Sequence, residues 1–232
     1  MNTFSLLCWN VQKKSLDPEF LGHFEALLLH HPADIVALQE ARIAESGRLP
    51  APLGGYHVAT SCNIRLPRWR FGVMTLSRLP MSAGHRYLST TREAGFATRK
   101  SALLTRHTVG GRTVTLLNLH AINFVPHRLF VRELERIAHF LGPLQSERLV
   151  VAGDFNTWSR KRQSHLEEVM ALFGLVRVRL QNAQRIKAVL GKPLDHVYCR
   201  GLEATKAQVV ETPVSDHNPI WVEFSLGREE ES

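Results

Sequence analysis

The chain has 232 residues, of which 44% are hydrophobic and 22% charged, and its 29 Lys+Arg against 21 Asp+Glu leave a formal net charge of +8. A chain of this size and polarity buries enough apolar surface to fold without a disulfide or a structural metal. No apolar run approaches the ~20 residues of a membrane span, and MNTFSLLCWN lacks the basic start and apolar length of a signal peptide.

Three cysteines, Cys8, Cys62 and Cys199, form an odd set in no zinc-like spacing. Cys8 and Cys199 sit in apolar strand-like runs as small core residues, and the expectation is a reducing, cytoplasmic setting. The basic excess favours a polyanionic or phosphorylated partner, with a merely solvated basic surface as the competing reading.

In chain order, Phe4 to Trp9 reads as a strand. Asp17 then stands as an N-cap before Pro18, and Phe20, Phe24, Leu27 and Leu28 recur at helical spacing until Pro32. The run 34–39 is a buried strand ending at Glu40, which completes β-α-β. Between 47 and 117 short apolar runs (56–60, 72–77, 100–107, 113–118) alternate with Gly and Pro, and Gly110-Gly111 marks a hairpin, so this block reads as an antiparallel meander. A helix over 127–141, a strand over 149–152, a helix from about 162 to 173 stopped by Gly174, and strands at 197–200, 207–211 and 220–224 complete the reading. Two β-α-β-rich halves around a meander predict an α/β sandwich, two packed sheets with helices outside. The expected organisation is a single domain over 1–227, with the acidic stretch 228–232 as a frayed tail.

Polar residues recur where apolar strand runs stop: Asn10, Glu40, Asn118 with His120, Asp154 with Asn156, Asp195, and Asp216 with His217. One carboxylate at a strand end is ordinary. Six such clusters are not, because strand ends on one edge of an α/β sheet open into a common crevice. Oxygen ligands such as Glu40 and Asp216 suit a hard cation, Mg2+ or Mn2+. Asp195 could hold His217 in its charged form, and Asp154 with Asn156 could position a water.

The ordered set Asn10, Glu40, His120, Gly153-Asp154-Phe155-Asn156, Asp195 and Ser215-Asp216-His217 resembles the endonuclease/exonuclease/phosphatase (DNase I-like) superfamily over residues 4–225. The strings at 72–77, 118–124, 153–160, 193–202 and 215–219 are similar to its bacterial YafD-like branch. The resemblance implies a four-layer α/β/β/α sandwich of two mainly antiparallel mixed sheets and a divalent-metal-dependent phosphoesterase. Glu40 would be the principal metal ligand with Asn10 beside it and Asp216 completing the shell. Asp154 and Asn156 would orient the attacking water. His120 would bind the phosphate or act as acid, and His217, paired with Asp195, would bind the scissile phosphate or act as base. Two departures point away from abasic-site repair: Gln12 stands where those enzymes carry an acid, and His120 where they carry Tyr. The stretch 65–73 holds no acid that could pair with His120, which leaves Glu93 as a distant candidate.

Further residues carry two readings each. The segment Arg65-Leu66-Pro67-Arg68-Trp69-Arg70 is either a surface loop or a phosphate-tracking one. Arg160 and Arg162 lie directly after the Asp154 loop and are candidate substrate contacts, as are Trp158 and Asn123. Arg177, Arg179, Arg185 and Lys187 are a solvated face or a phosphate site. His196 alternates away from Asp195 and reads as structural, and His30, His31 and His57 read as surface residues. The leading expectation is a phosphodiesterase or nuclease. The alternatives are a phosphatase or phosphodiesterase for a small phosphorylated metabolite or lipid headgroup, and a non-catalytic phosphate- or nucleic-acid-binding module.

Overall fold

The structure, a computed structural model, describes residues 2–93, 98–142, 144 and 148–227. Its central strands are built on side-chain alternation. In β1 (Thr3–Asn10), Phe4, Leu6 and Cys8 face one way into one apolar cluster, while Leu7 and Trp9 face the other into a second. Burial on both faces is what a strand between two layers requires.

Helix α1 (Pro18–His30) covers the outer face, setting Phe20 against Trp9 with ring centroids 4.9 Å apart. Strand β2 (Ile35–Ala44) then pairs parallel with β1. Strands β3 (His57–Arg65) and β4 (Trp69–Ser77) form a hairpin whose β4 pairs with β2. After β5 (Met81–Leu88), β6 (Ser101–Val109) and β7 (Arg112–His120) turn at Gly110-Gly111, both at positive φ. Helix α2 (His127–Leu141) crosses to β8 (Leu149–Asp154), parallel to β7. The chain continues through α3 (Arg160–Leu172), β9 (Val176–Arg177), the small hairpin β10 (Ala188–Val189) and β11 (Lys192–Pro193), then β12 (Asp195–Arg200), β13 (Glu203–Val209) and β14 (Ile220–Ser225).

Two six-stranded sheets result, ordered β13-β14-β1-β2-β4-β3 and β5-β6-β7-β8-β12-β9. Each is antiparallel except for one central parallel pair joined by a helix, β1-α1-β2 in one and β7-α2-β8 in the other. Their facing sides share one core of Leu6, Cys8, Leu116, Val150, Val197 and Ile220 among others. The outer sides pack under α1 in one sheet and under α2 and α3 in the other. This is the expected α/β/β/α sandwich.

Four local readings are refined or corrected. Strand β2 does not end at Glu40 but runs to Ala44 through a bulge between Leu38 and Ala41. Residues 65–70 form the tip of the β3–β4 hairpin: Arg65 and Arg70 pair as its last rung, only Leu66, Pro67 and Arg68 make the loop, and Trp69 lies under the Arg42 guanidinium. Strand β5 gave no signal because it is a largely exposed edge with little apolar alternation. His31 is half-buried against Trp221 rather than on the open surface. The stretch 228–232 lies outside the described residues.

Gly153 is required for close approach. Its φ is 150°, and a Cβ there would stand 1.8 Å from the Leu119 carbonyl oxygen of β7. Gly153→Ala is therefore expected to force β7 and β8 apart and to destabilise the fold by about 3 kcal/mol or more. An unchanged thermal melting point would contradict that close packing.

Candidate active site

The alternation that builds the core also builds the site. Along β1 the inward row runs Leu6, Cys8, Asn10, and along β7 it runs Leu116, Asn118, His120. On β8 it runs Val150, Ala152, Asp154, and on antiparallel β12, read backwards, Cys199, Val197, Asp195. Each row is apolar in the middle of the sandwich and polar at one common end. Strand register aligns that end, since His120 pairs with Asp154 and Asp154 with Asp195.

Buried amides tie the two sheets together just below. Gln39 Nε2 donates to Asn118 Oδ1 at 2.8 Å, and Asn118 Nδ2 donates to the Met74 carbonyl at 3.0 Å. Asn10 Nδ2 donates to Asp154 Oδ2 at 3.0 Å, and its own Oδ1 accepts from the Gln12 N–H at 3.1 Å.

Glu40 reaches the site by a different device. Strict alternation would turn it to the outer face with Val36 and Leu38. Instead the bulge places it in the left-handed region, φ 52°, where it lines the cleft. Among the described residues seven non-glycines have positive φ, and five of them, Gln12, Lys13, Glu40, Phe124 and Asn156, line this one cleft. Backbone strain held by surrounding structure is a feature of functional sites. The cleft encloses about 510 Å³ and brings together Asn10, Glu40, His120, Asn123, Asp154, Asn156, Asp216 and His217.

His217 is fixed from several sides. Its carbonyl accepts from Trp9 Nε1 at 2.8 Å, its N–H donates to Ser215 Oγ at 3.2 Å, and its Nδ1 lies 2.7 Å from Asp195 Oδ2. Burial opposes a charge on the ring, but the Asp195 carboxylate outweighs it and raises the imidazole to about 9. Asp154 is raised as well, which for an acid favours the uncharged form. Burial and the neighbouring Asp195 lift it to about 7, against the pull of His217, the Asn156 N–H and Asn10. His120 is held well below its ordinary value by burial and by the cations Lys100, His217 and Lys13. The two histidines are thus opposites, with His217 an imidazolium at neutral pH and His120 a neutral ring.

Sequence reasoning missed the partner that keeps His120 neutral. Lys100 Nζ lies 3.0 Å from His120 Nε2 and 3.5 Å from Glu93 Oε2, with only 12% of its side chain exposed. Glu93 Oε1 also accepts the Asn123 N–H at 2.6 Å. The segment leading to Glu93 is anchored by buried Glu133, which accepts from the Thr90 and Thr91 N–H groups and hydroxyls and from Tyr87. Lys13 and Lys187 line the cleft too. Lys100→Ala should let the His120 ring titrate at higher pH while burial still holds it below 6.5. Histidine proton NMR reads this directly, and an unmoved His120 titration would exclude the contact.

The remaining candidates divide. Asn123 lines the cleft. Trp158 does not, but its Nε1 donates to Asn123 Oδ1 at 2.9 Å and so fixes that side chain. Arg160 is exposed on the first turn of α3 and outside the cleft lining. Arg162, expected as a substrate contact, is 1% exposed and spends its guanidinium on the Asn156 carbonyl at 3.1 Å and the Val125 carbonyl at 2.7 Å. It lies against Phe130 and Trp158 and braces the Asn156 loop from behind. Of the basic set at 177–187 only Lys187 reaches the cleft, while Arg177 and Arg185 pair with Glu167 and Glu211. His196 is buried, bonded to Thr157 Oγ1 at 2.7 Å, and pushed down to about 3 by burial.

The donor chemistry fits a hard divalent cation. Glu40 is 26% exposed at the cleft, and its carboxylate lies 3.8 Å from Nε2 of the neutral His120 ring. Asp195 Oδ1 is buried without a partner, and ligand atoms of Asp154, Asp195 and His217 lie within 4.8 Å of one another. Two of the expected ligands are otherwise engaged. Asp216 Oδ2 pairs with Lys187 Nζ at 2.9 Å, and Asn10 orients Asp154.

Comparison with known proteins agrees with this architecture. A UPF0294 protein of Vibrio vulnificus is 32% identical over 232 residues, covering 97% of this chain and 78% of the relative. Among solved structures, an endonuclease/exonuclease/phosphatase from Beutenbergia cavernae superposes with a TM-score of 0.73 at 18% identity, covering 98% of this chain and 72% of that one. The human Nocturnin catalytic domain, solved with a bound sulfate anion, gives 0.66 at 16% identity over 97% of this chain and 94% of its own. The sequence profile of the Endonuclease/Exonuclease/phosphatase family matches residues 7–217, from the first strand to the histidine that Asp195 holds. The chain belongs to the Endonuclease/Exonuclease/phosphatase family.

Proposed function

We propose that this chain is a divalent-metal-dependent phosphoesterase, a phosphodiesterase whose favoured substrate is nucleic acid, and that it hydrolyses a P–O bond by attack of water. The observation that carries the reading is the charge state set for adjacent groups: a buried carboxyl raised to about 7, where it can take up a proton, beside an imidazolium held at about 9. Both values are raised, and a carboxyl titrating near neutrality beside a fixed cation suits a base next to an anion-binding group.

Asp154 is the base. Its value near neutrality suits proton removal from water, and the Asn156 N–H at 3.0 Å and Asn10 Nδ2 at 3.0 Å fix the carboxylate's direction. His217, kept charged by Asp195, binds a phosphoryl oxygen and stabilises the charge that grows there. His120 accepts from the Lys100 ammonium, so it aims a cation into the cleft instead of giving up a proton. Asn123 offers its amide to the substrate. Mg2+ or Mn2+ would be held chiefly by Glu40, with Asn10 and Asp216 joining on release from Asp154 and Lys187, and would supply Lewis-acid polarisation of the phosphoryl group.

The same machinery serves a small phosphorylated metabolite or a lipid headgroup. Protein stripped with a chelator and resupplied with Mg2+ or Mn2+ should therefore be screened against plasmid, single-stranded DNA, RNA and a phosphoester panel. Metal-dependent hydrolysis that disappears in both Asp154→Ala and His217→Ala is the expected result. Hydrolysis surviving in both variants would sink the site assignment. No hydrolysis and no binding of either ion at millimolar concentration would sink the enzymatic reading.

A further inference from the structure

Phe124 is the most conspicuous cleft residue that the proposed chemistry leaves unused. It is 78% exposed, it lines the cleft with His120, and its φ is 45°. A phenyl ring turned to water gains nothing from burial, and a bulky residue in the left-handed region is a genuine outlier. Both costs are imposed by a built turn. The Phe124 N–H donates to Asn123 Oδ1 at 2.9 Å, and the same oxygen accepts from Trp158 Nε1 at 2.9 Å. The Asn123 N–H is held by Glu93 at 2.6 Å. The ring is displayed by hydrogen bonds on its own backbone, by Asn123 and by Glu93, which also pairs with Lys100.

The surroundings select the chemistry of what covers it. The lining mixes polar Asn63, Thr98 and Lys100 with apolar Ile64, Phe71 and Val189. A lipid-seating surface needs several neighbouring apolar groups, but the residues flanking Phe124 in its loop are Asn123 and buried Val125. Phe71 also lines the cleft but is half-buried, so Phe124 is the ring free to be covered, and an exposed flat ring in a cleft that also holds ammonium groups matches a ligand with a flat ring beside an anionic group. Base–aromatic stacking of this kind is tolerant of base identity and fits unpaired strands.

We propose that Phe124 is the stacking platform for a nucleobase adjoining the scissile phosphate, which makes an unpaired nucleotide strand the substrate class of this cleft. The proposal rests on the phosphodiesterase reading for its orientation but not for its test.

The test is binding, measured by fluorescence anisotropy with an end-labelled thymidine ten-mer and an identically labelled ten-mer of base-free tetrahydrofuran residues. Wild-type protein should bind the base-bearing strand on the order of tenfold more tightly. Phe124→Ala should erase that difference without changing affinity for the base-free strand, and Phe124→Trp should keep it. Equal melting points for the three proteins would exclude a folding cause, and Phe124→Gly, which relieves the positive φ, serves if alanine melts early. Equal binding of both strands by wild type, or equal weakening of both by Phe124→Ala, overturns the proposal. So does a Phe124→Ala defect confined to phosphatidylglycerol vesicles. Cleavage of the same strands with Mg2+ separates the two claims. Base-dependent binding through Phe124 without any cleavage leaves this inference standing and the phosphodiesterase reading fallen, whereas cleavage indifferent to Phe124 and to bases does the reverse.

Discussion

Asp154→Asn is expected to leave a folded protein whose metal-supported hydrolysis falls by roughly 10³-fold, the range for losing a positioned general base. The carboxyl is buried, aimed by two donors and lifted to about 7, so near neutral pH it can both take and release a proton. An amide keeps the shape and the acceptor for the Asn156 N–H but cannot be protonated by water in this range. The same substitution should raise thermal stability in chelator, with a defined pH dependence. The folded value lies above the ordinary 3.8, so below about 3.8 Asp154 is protonated in both folded and unfolded chains and contributes no difference. Between about 3.8 and 7 the unfolded chain ionises while the folded one resists. The native aspartate therefore loses stability over that window, and the melting-point advantage of the asparagine variant should grow across it and level off above. A hydrolysis rate within a few-fold of wild type would remove Asp154 from the chemistry.

The parts of this site legible in the sequence are those that interrupt a period. Asn10, His120, Asp154 and Asp195 each follow an apolar row of the correct parity, so a polar residue there faces the inter-sheet space at its end. Glu40 breaks that logic. Parity alone points it outward, and only the bulge brings it in, which the resemblance in residue order conveyed and the alternation did not. Lys100 and Glu133 were not legible, and Glu93 was placed only as a distant partner for His120, because their contacts join the segment before β6 to β7 and α2 across long stretches of chain, with no local pattern to mark them. Phe124 was missed for a related reason, since nothing local signals that an aromatic residue will be held exposed in a strained turn. Arg162 was misread despite an available signal. Its basic neighbours suggest a surface, yet Arg162, Leu166, Val169 and Met170 recur at helical spacing and form the buried face of α3.

Asp195→Asn should move the whole pH profile toward acid, and the direction follows from both neighbours of this carboxylate. Burial alone would depress His217, and it is the charge and hydrogen bond of Asp195 that outweigh burial and bring the ring to about 9. Without that charge burial pulls the ring's value down against only Asp154 and Asp216, less of it is charged at pH 8, and hydrolysis there should fall on the order of 10²-fold. Asp195 is also the second cause, after burial, of the raised Asp154 value, so its removal makes Asp154 ionise at lower pH. Both limbs of the bell-shaped profile then shift the same way, and part of the lost activity returns at more acidic pH. Stability supplies an independent sign. His217 has a folded value above its ordinary 6.5, so its stabilising contribution is fully present below 6.5 and is lost as pH rises through about 9. The melting-point deficit of Asp195→Asn should accordingly be largest below 6.5 and shrink toward 9. Asp216→Asn is the control, because Asp216 is half-exposed, paired with Lys187 and the smallest influence on His217, so its profile should shift far less. A loss for Asp195→Asn that is uniform at every pH would mean that Asp195 only props the loop, and the His217 imidazolium would lose its place in the proposed chemistry.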